Sequence, residues 1–293
     1  MIQTITKVNQ TFKQLQPGIG IGVPLPKDWV SIKNEALVII VGLTGVGKST
    51  IINTLTESGL DFTLLPNRRT LTTELIIPHI AVTKEQNVQT ICRIDRFKYT
   101  RQYQKSFPGG MGHILTQLQV NPSLINHPLI FDGLRGENEV TYAANTLKKA
   151  KFIILDAPLS VRLKRLLTRS DAFDRITKYP DNEVVNSQKM MSFSDFGIPE
   201  ASNLFTFDEE EEILTKLEQG VYNSVDVCER LKILVEESRN YNSEATKTAL
   251  QTIAPERTLL LDTTKFSPQQ LIQKIITYTK LEKRILQKGV RIS

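Results

Sequence analysis

Apolar runs of strand length recur along the chain, and each is followed by a segment in which apolar residues return at helical spacing. Most of these runs are continuous, which is typical of strands covered on both faces of a parallel sheet. They lie at residues 36–42, 62–66, 128–132, 151–156 and 258–262, of which 62–66 is the weakest. The pattern predicts a three-layer α/β/α fold with a five-stranded parallel sheet.

The last predicted helix has a clear start. Ser267, Pro268 and Gln270 stand at its N-cap, first and third positions. Serine and glutamine at this spacing form a capping box, and proline is favoured at the first helical position. We therefore expect the helix that follows the fifth strand to begin at Pro268.

Two segments interrupt the alternation of strands and helices. Residues 1–35 are rich in glutamine and contain "GIGIGVPLP", which predicts an extended N-terminal arm with a turn rather than a ligand loop. Residues 170–256 carry polar loops, an acidic helix start and two further helical patterns, which predict a helical insertion or lid. Residues 36–169 and 257–293 form the predicted core domain.

The most specific motif lies between the first strand and its helix. "GLTGVGKS" matches G-x-x-x-x-G-K-[ST] without a gap. Glycines let successive backbone N–H groups point at phosphates, and the helix N-terminus adds a partial positive charge. The predicted nucleotide-binding residues of this P-loop are Gly42, Thr44, Gly45, Val46, Gly47, Lys48, Ser49 and Thr50.

Lys48 and Ser49 have separate expected roles in the P-loop. The lysine of this motif reaches the β- and γ-phosphates of a nucleoside triphosphate, and the hydroxyl after it binds Mg²⁺. An apolar strand enters the loop and an amphipathic helix leaves it, as the motif requires. The sequence thus predicts a nucleoside triphosphate ligand with Mg²⁺.

The surrounding motifs separate the classes of protein that use a P-loop. A GTPase would show an N-K-x-D guanine reader and a D-x-x-G, and neither pattern occurs in this chain. Mechanical ATPases usually end the Walker B strand with two acidic residues, whereas "LIFDGLRG" offers only Asp132. These observations favour a kinase over a GTPase switch or a motor.

Three further segments carry a resemblance to a known family. "IFDGLRGENEV", "KFIILDAPLSVRLKRLLTR" and "RTLLLDTTKFSPQQLIQKI" resemble, in order and spacing, strand–helix units of nucleoside monophosphate kinases of the adenylate and guanylate kinase type. The resemblance implies an ATP- and Mg²⁺-dependent phosphotransferase in which Lys48 steadies the transferred group and Asp132 holds the metal. Arg135 follows D-G after one residue instead of the family's two, and the insertion is longer than a usual lid. These departures leave the acceptor open.

Arginines recur on one side of the helix predicted after residue 158. Arg162, Arg165 and Arg169 stand at i, i+3 and i+7, which places them in one stripe. Phosphoryl transfer depends mainly on charge compensation, so arginines near the transferred group are expected. We expect Arg169, together with Arg135, to act in catalysis. The alternative is that the stripe is a solvated helix face.

Paired arginines follow the weakest strand. "LLPNRRTLTTE" is loosely similar to the acceptor loop of guanylate kinases, and "RIDRFKYTRQY" adds further arginines. Arginine grips phosphate bidentately in a way that lysine does not. The predicted acceptor-binding residues are Arg68, Arg69 and Arg96. An exposed basic loop is the alternative.

Composition and charge restrict only the broad class of protein. A net charge of +6 and a pI near 9.2 suit a phosphate-rich ligand, but the excess is not gathered into basic blocks, so nucleic acid is not an expected partner. Cys92 and Cys228 lack metal-ligand spacing. No apolar run approaches the ~20 residues of a membrane span, and the first residues lack an apolar targeting segment. We expect a cytoplasmic protein without membrane contact.

The leading hypothesis is ATP-dependent phosphorylation of a nucleotide or another small metabolite, with GTP open as a donor. The competing hypothesis is a regulatory P-loop module that binds ATP or GTP and signals to a protein partner through residues 170–256. A slow NTPase without a defined acceptor is a third. Turnover with a small acceptor separates the first hypothesis from the others.

Overall fold

A computed structural model describes residues 11–80, 91–169 and 192–280. Residues 1–10 of the predicted arm, 170–191 of the predicted insertion, and 81–90 and 281–293 of the predicted core lie outside the described residues. The described strands are β1 (Lys13–Gln16), β2 (Ile19–Ile21), β3 (Val30–Ser31), β4 (Leu37–Val41), β5 (Thr63–Leu64), β6 (Leu118–Val120), β7 (Leu129–Leu134), β8 (Lys151–Asp156) and β9 (Thr258–Asp262).

Helices connect and cover these strands. A π-helical turn at Thr72–Ile76 joins α2 to α3. The described α-helices are α1 (Lys48–Glu57), α2 (Arg68–Leu71), α3 (Ile77–Ile80), α4 (Arg93–Ser106), α5 (Gly110–Thr116), α6 (Glu137–Thr146), α7 (Leu159–Leu167), α8 (Pro199–Ser202), α9 (Phe207–Glu218), α10 (Ser224–Asn240), α11 (Ser243–Ile253) and α12 (Pro268–Thr279).

The main sheet is parallel and has the strand order β5-β7-β4-β8-β9. All of its neighbouring strands run in the same direction, so the five predicted strands and their parallel arrangement are confirmed. The central strand β4 is buried along its whole length, which explains its continuous apolar sequence. Val41 pairs with Leu134 on one side and with Ile154 on the other, so the P-loop leaves the sheet at the carboxyl ends of β7 and β8. Open α/β sheets bind ligands at that edge.

Alternate side chains of β4 enter different cores, one on each face of the sheet. Ile39 and Val41 pack on the face covered by α5, α6 and α11. Val38 and Ile40 pack on the face covered by α1 and α12. This alternation follows from the two-residue period of a strand, and it produces the three layers that the sequence predicts.

The N-terminal segment differs from the expected extended arm. Its strands β1, β2 and β3 join β6 in a second, antiparallel sheet with the order β1-β2-β6-β3. Ile19 and Ile32 are fully buried in the core that also contains Phe131. Burial of these apolar side chains stabilises the segment against the core domain. The predicted turn at "GIGIG" is largely the strand β2.

The predicted insertion is helical where it is described, but it is not separate from the core. A third hydrophobic cluster joins Leu163 and Leu166 of α7 to Phe193, Ile213 and Leu231. Within the same segment, α10 also packs on α4, and α11 packs on α6. The second half of the segment is therefore anchored on the layers around the sheet.

Two local predictions are also settled by the structure. The capping box of α12 is present, with the Ser267 side chain accepting from the Gln270 N–H. The acidic run begins α9, where Thr206 and Glu209 form a second capping box. None of the described helices combines the length and the apolar character that a membrane crossing needs.

Candidate functional site

The P-loop joins β4 to α1 through glycines whose backbone no other residue would adopt easily. Gly47 caps the N-terminus of α1 with a φ of 100°, and Gly45 has a φ of 82°. A Cβ atom at Gly45 would lie 2.8 Å from the backbone oxygen of Arg162. The loop thus curls against α7, and its shape depends on both glycines.

A cleft of about 930 Å³ opens at the P-loop. It brings together most of the predicted site residues. The lining residues that matter below are Thr44, Gly45, Gly47, Lys48, Ser49, Thr50, Asn67, Arg68, Arg69, Arg93, Asp132, Arg135, Arg165, Arg169, Thr263, Phe266 and Pro268. Two predicted residues, Gly42 and Val46, do not line this cleft. The Gly42 carbonyl accepts a hydrogen bond from Lys48. Val46 packs in the hydrophobic core.

Lys48 is held by the loop that carries it. Its Nζ donates to the carbonyl oxygens of Gly42 and Leu43, at 2.6 and 2.8 Å. Burial, and then repulsion from Arg135, lowers the pKa of Lys48 to about 7, although Glu237 and Asp132 oppose this shift. An incoming phosphate would favour the charged form of the amine.

Ser49 and Asp132 supply oxygen atoms at the same cleft. Ser49 lies in the first turn of α1, and Asp132 lies in β7 beside the strand that leads into the P-loop. In the described part of the chain, no group of three His, Cys, Asp or Glu side chains forms an all-protein metal site. Mg²⁺ does not need one, because it usually binds one or two protein oxygens together with phosphate oxygens and water. Ser49 and Asp132 fit that requirement.

A glutamate that the sequence analysis did not identify lies against the P-loop. Glu237 of α10 accepts from the Thr44 N–H at 3.0 Å and from the Thr44 hydroxyl at 2.8 Å. It also accepts from Arg135 Nη1 at 2.9 Å and from Arg162 Nη2. Burial alone would raise the pKa of Glu237, but the surrounding cations, Arg135 foremost, lower it to about 2. The carboxylate is therefore ionised at every physiological pH.

Three arginines bond to Thr44 or Gly45 of the loop. The alternative that the arginine stripe on α7 is a solvated face does not hold for two of them, Arg162 and Arg165. Arg162 is buried, and its Nε donates to the Thr44 carbonyl at 2.7 Å. Arg165 donates to the Thr263 hydroxyl at 2.8 Å and to the Gly45 carbonyl at 3.2 Å. Arg93, which opens α4, donates to the Thr44 hydroxyl at 2.5 Å. Arg169 lines the cleft at the last described position before residue 192.

The residues expected to bind an acceptor are distributed differently from the prediction. Arg68 donates to both carboxylate oxygens of Glu139, at 2.8 and 2.7 Å, and to the Tyr241 hydroxyl at 2.6 Å. Burial opposes the charge on Arg68, but Glu139 outweighs it and raises the pKa of the guanidinium. Arg69 lines the cleft. Arg96 donates to the Thr73 hydroxyl at 2.5 Å and is not among the cleft-lining residues.

Part of the cleft lining is apolar. Phe266, Pro268 and Leu271 contribute to it, together with Arg165 and Thr263. Phe266 is partly buried against the core, and Lys274 Nζ lies 4.5 Å from the centre of its ring. These apolar side chains suit a flat apolar group the size of a nucleobase, while the P-loop suits phosphates.

Both buried glutamates left a signal in the sequence. Val227, Leu231 and Leu234 mark the apolar stripe of α10, and Glu237 occupies its next position, three residues further on. Glu139 lies in the first turn of α6, a favourable place for a carboxylate, but it is also fully buried. An acid on an apolar stripe predicts a buried charge that needs a partner. The identity of that partner depends on the fold.

Comparisons with known proteins give the family but no activity. Among solved structures, a sugar kinase from Janibacter sp. shares 14% identity over 85% of this chain and 96% of its own, with a TM-score of 0.34. A sulfotransferase from Alicyclobacillus acidocaldarius shares 11% identity over 85% and 83%, with a TM-score of 0.34. At these values neither likeness bears on activity. No curated protein matches the chain. The family model AAA_18, described as an AAA domain, matches residues 38–186, and the chain belongs to this family.

Proposed function

We propose that the protein is an ATP- and Mg²⁺-dependent phosphotransferase that acts on a nucleotide or another small metabolite. The observation that carries this proposal is the convergence of three kinds of group on one cleft. A P-loop, two oxygen side chains suited to Mg²⁺ and several arginines all line it. Phosphoryl transfer needs positioning and charge compensation of this kind more than it needs a covalent group on the protein.

Different residues of the cleft would bind the donor phosphates, the Mg²⁺ ion and the transferred phosphoryl group. The P-loop amides and Lys48 would hold the β- and γ-phosphates of the donor. Ser49 and Asp132 would hold Mg²⁺, which supplies charge neutralisation at the donor phosphates. Arg135 and Arg169 would stabilise the negative charge that develops on the transferred group.

The acceptor would lie between Asp132 and the segment that begins with Asn67. Arg69 and Arg93 line the cleft, so its charge suits a phosphate group on the acceptor. The Arg68 guanidinium donates to Glu139 and so stabilises this segment. We therefore assign it no contact with the acceptor. A monophosphate therefore fits better than an uncharged metabolite.

A transfer assay tests the proposal directly. Purified protein would be incubated with Mg²⁺, γ-labelled ATP or GTP, and pools of nucleoside monophosphates and small metabolites. We expect label in an acceptor, and we expect Lys48→Ala to reduce transfer at least about 1000-fold, because the buried amine cannot be replaced by solvent. Label that appears only as free phosphate, or transfer that survives in Lys48→Ala, would reject the proposal.

A regulatory nucleotide-binding module is the second candidate, and one observation favours it. The segment predicted as an insertion places α10 on the P-loop through Glu237 and Thr44. A protein partner that binds residues 170–256 would therefore be connected to the nucleotide site. Partner capture that changes with ATP or GTP, in the absence of transfer to any acceptor, would support this candidate over the first.

A further inference from the structure

The Glu237 carboxylate of α10 is enclosed by groups from three other parts of the chain. Thr44 belongs to the P-loop, Arg135 follows β7, and Arg162 belongs to α7. The side chain of Glu237 has 0% exposure, and that of Arg162 has 6%. A carboxylate buried this deeply is tolerated only where charged groups and hydrogen bonds compensate it. Glu237 and the two arginines therefore hold one another in place.

The charges at this centre are not balanced. Lys48, Arg93, Arg135 and Arg162 all act on Glu237 and lower its pKa. The other carboxylate that acts on Lys48 besides Glu237 is Asp132. Asp156 in turn acts on Arg162. Because Glu237 bonds to two guanidinium groups and carries one charge, it does not neutralise both of them. A phosphoryl group is an anion that the P-loop accommodates beside them.

Glu237 leaves most of the phosphate cradle open. It accepts from the N–H of Thr44, which is the third residue of the motif. Among the described residues, no protein acceptor faces the N–H groups from Gly45 to Ser49, and the next loop bond runs from the Ile51 N–H to the Gly47 carbonyl. Phosphate and Glu237 can therefore occupy the site together. The carboxylate lies beside the cradle and does not fill it.

We propose that Glu237 is a positioning residue for phosphoryl transfer, whose carboxylate holds Arg135 and Arg162 beside the P-loop where the transferred group must lie. This inference rests on the proposed function. Glu237 does not exchange a proton in the reaction, since it remains ionised throughout. It acts through the two guanidinium groups, which would otherwise separate from each other by charge repulsion.

This role predicts an effect on turnover rather than on nucleotide binding. Arginines that are prearranged stabilise the charge of the transition state without reorganisation, and misplaced arginines lose that advantage. The N–H groups from Gly45 to Ser49, which would bind the donor phosphates in the ground state, make no bond to Glu237. The amide oxygen of a glutamine at this position can still accept from the Thr44 N–H. The change should therefore fall on kcat.

Glu237→Gln is the decisive variant, because it keeps the size of the side chain and removes its charge. We expect kcat for transfer from γ-labelled MgATP, with a pool of nucleoside monophosphates as acceptors, to fall about 10- to 100-fold. The Kd for MgATP should stay within about threefold. Glu237→Asp keeps the charge on a shorter side chain and should recover part of the lost kcat.

Glu236→Gln is the matched control. Glu236 is the preceding residue of the same helix and is also buried, but it pairs with Arg101 at 2.5 Å and Arg239 at 3.0 Å instead of the P-loop. This variant should leave kcat within about threefold of the wild type.

The outcomes separate the two proposals. A wild-type protein that transfers no label rejects the proposed function and, with it, the role of Glu237. A transferring wild type with equal kcat in Glu237→Gln and Glu236→Gln rejects the role of Glu237 alone. A parallel loss of MgATP affinity and kcat, or a failure of both Glu237 variants to fold, would show that Glu237 supports the structure instead of positioning the arginines.

Discussion

Two buried glutamates hold arginines near the cleft, and they differ in charge balance. Glu139 binds a single guanidinium, that of Arg68, through both oxygens, and also accepts from the Arg135 N–H at 3.0 Å. Glu237 binds two guanidinium groups, and Lys48 lies close enough to act on its charge. The first centre is neutral, while the second retains a positive surplus.

The difference distinguishes a structural ion pair from a ligand site. The Glu139 centre is complete without any other ion, so it ties α6 to the segment that begins at Asn67. The Glu237 centre places one carboxylate between two guanidinium groups, an arrangement that under the proposed function leaves positive charge for a phosphate. Arg68 was expected to bind the acceptor, but its guanidinium bonds to Glu139 and Tyr241. The proposed function therefore assigns the acceptor contact to Arg69.

Breaking the neutral centre should have the largest effect on stability. Glu139→Gln leaves the buried guanidinium of Arg68 without its charged partner, which costs about 3 kcal/mol of the free energy of unfolding. Denaturant unfolding measures this loss. The double variant Glu139→Gln with Arg68→Met should recover part of it, because no buried charge is then left uncompensated.

An equal loss in the single and double variants would contradict this view of Glu139. It would mean that the shape of the side chains, and not the charge of Arg68, sets the stability of the centre.

Nucleotide binding should be accompanied by the uptake of a proton by Lys48, which lies near the Glu237 centre. The pKa of Lys48 is about 7 in the free protein, and donor phosphates raise it, so binding takes up a proton. We expect uptake of roughly half a proton at pH 7 and close to one at pH 9, since more of the free protein is then deprotonated. Calorimetry in buffers of different ionisation enthalpy measures this number.

Lys48→Met is the control variant for this measurement. Its proton uptake on nucleotide binding should be close to zero at both pH values, although triphosphate binding will be weaker. Uptake that decreases from pH 7 to pH 9 in the wild type would have the wrong sign for a lysine with a lowered pKa.

The smallest effect is expected at the acceptor end. Arg69→Ala removes one charged contact from this end of the cleft, so the acceptor KM should rise roughly 5- to 10-fold with little change in kcat. Lys98→Ala is a suitable control, because Lys98 is an exposed cation that pairs with Asp95 outside the cleft. A rise confined to the KM for ATP would place Arg69 on the donor instead.

Much of the core was predictable because it depends on short-range patterns. The apolar runs identify all five strands of the parallel sheet. The reason is clearest for β4, which is buried along its whole length and therefore needs apolar residues at every position. The edge strands β5 and β9 are only partly buried. The P-loop and the capping box at Ser267 are likewise set by residues that are neighbours in sequence. The nucleotide-binding residues were predicted from the P-loop motif and the catalytic residues mainly from the family resemblance, and the cleft contains most of them.

The remaining features depend on contacts between distant segments. Strand β6 of the second sheet is three residues long, and its partner β2 lies about a hundred positions earlier, so neither has a strong local pattern. The glutamate at the P-loop is 193 positions from Thr44. The sequence marks Glu237 as an acid on an apolar stripe, but only the packing of α10 on α4 and α7 shows where it lies.

The bond between Thr44 and Glu237 also has a consequence for biosynthesis. A ribosome exposes the P-loop long before it adds residue 237, because 193 residues separate the two partners. The carboxylate that bonds to both Arg135 and Arg162 is therefore among the later parts of this centre to be synthesised. The two arginines reach their final arrangement only after α10 has been made and has packed on α4 and α7.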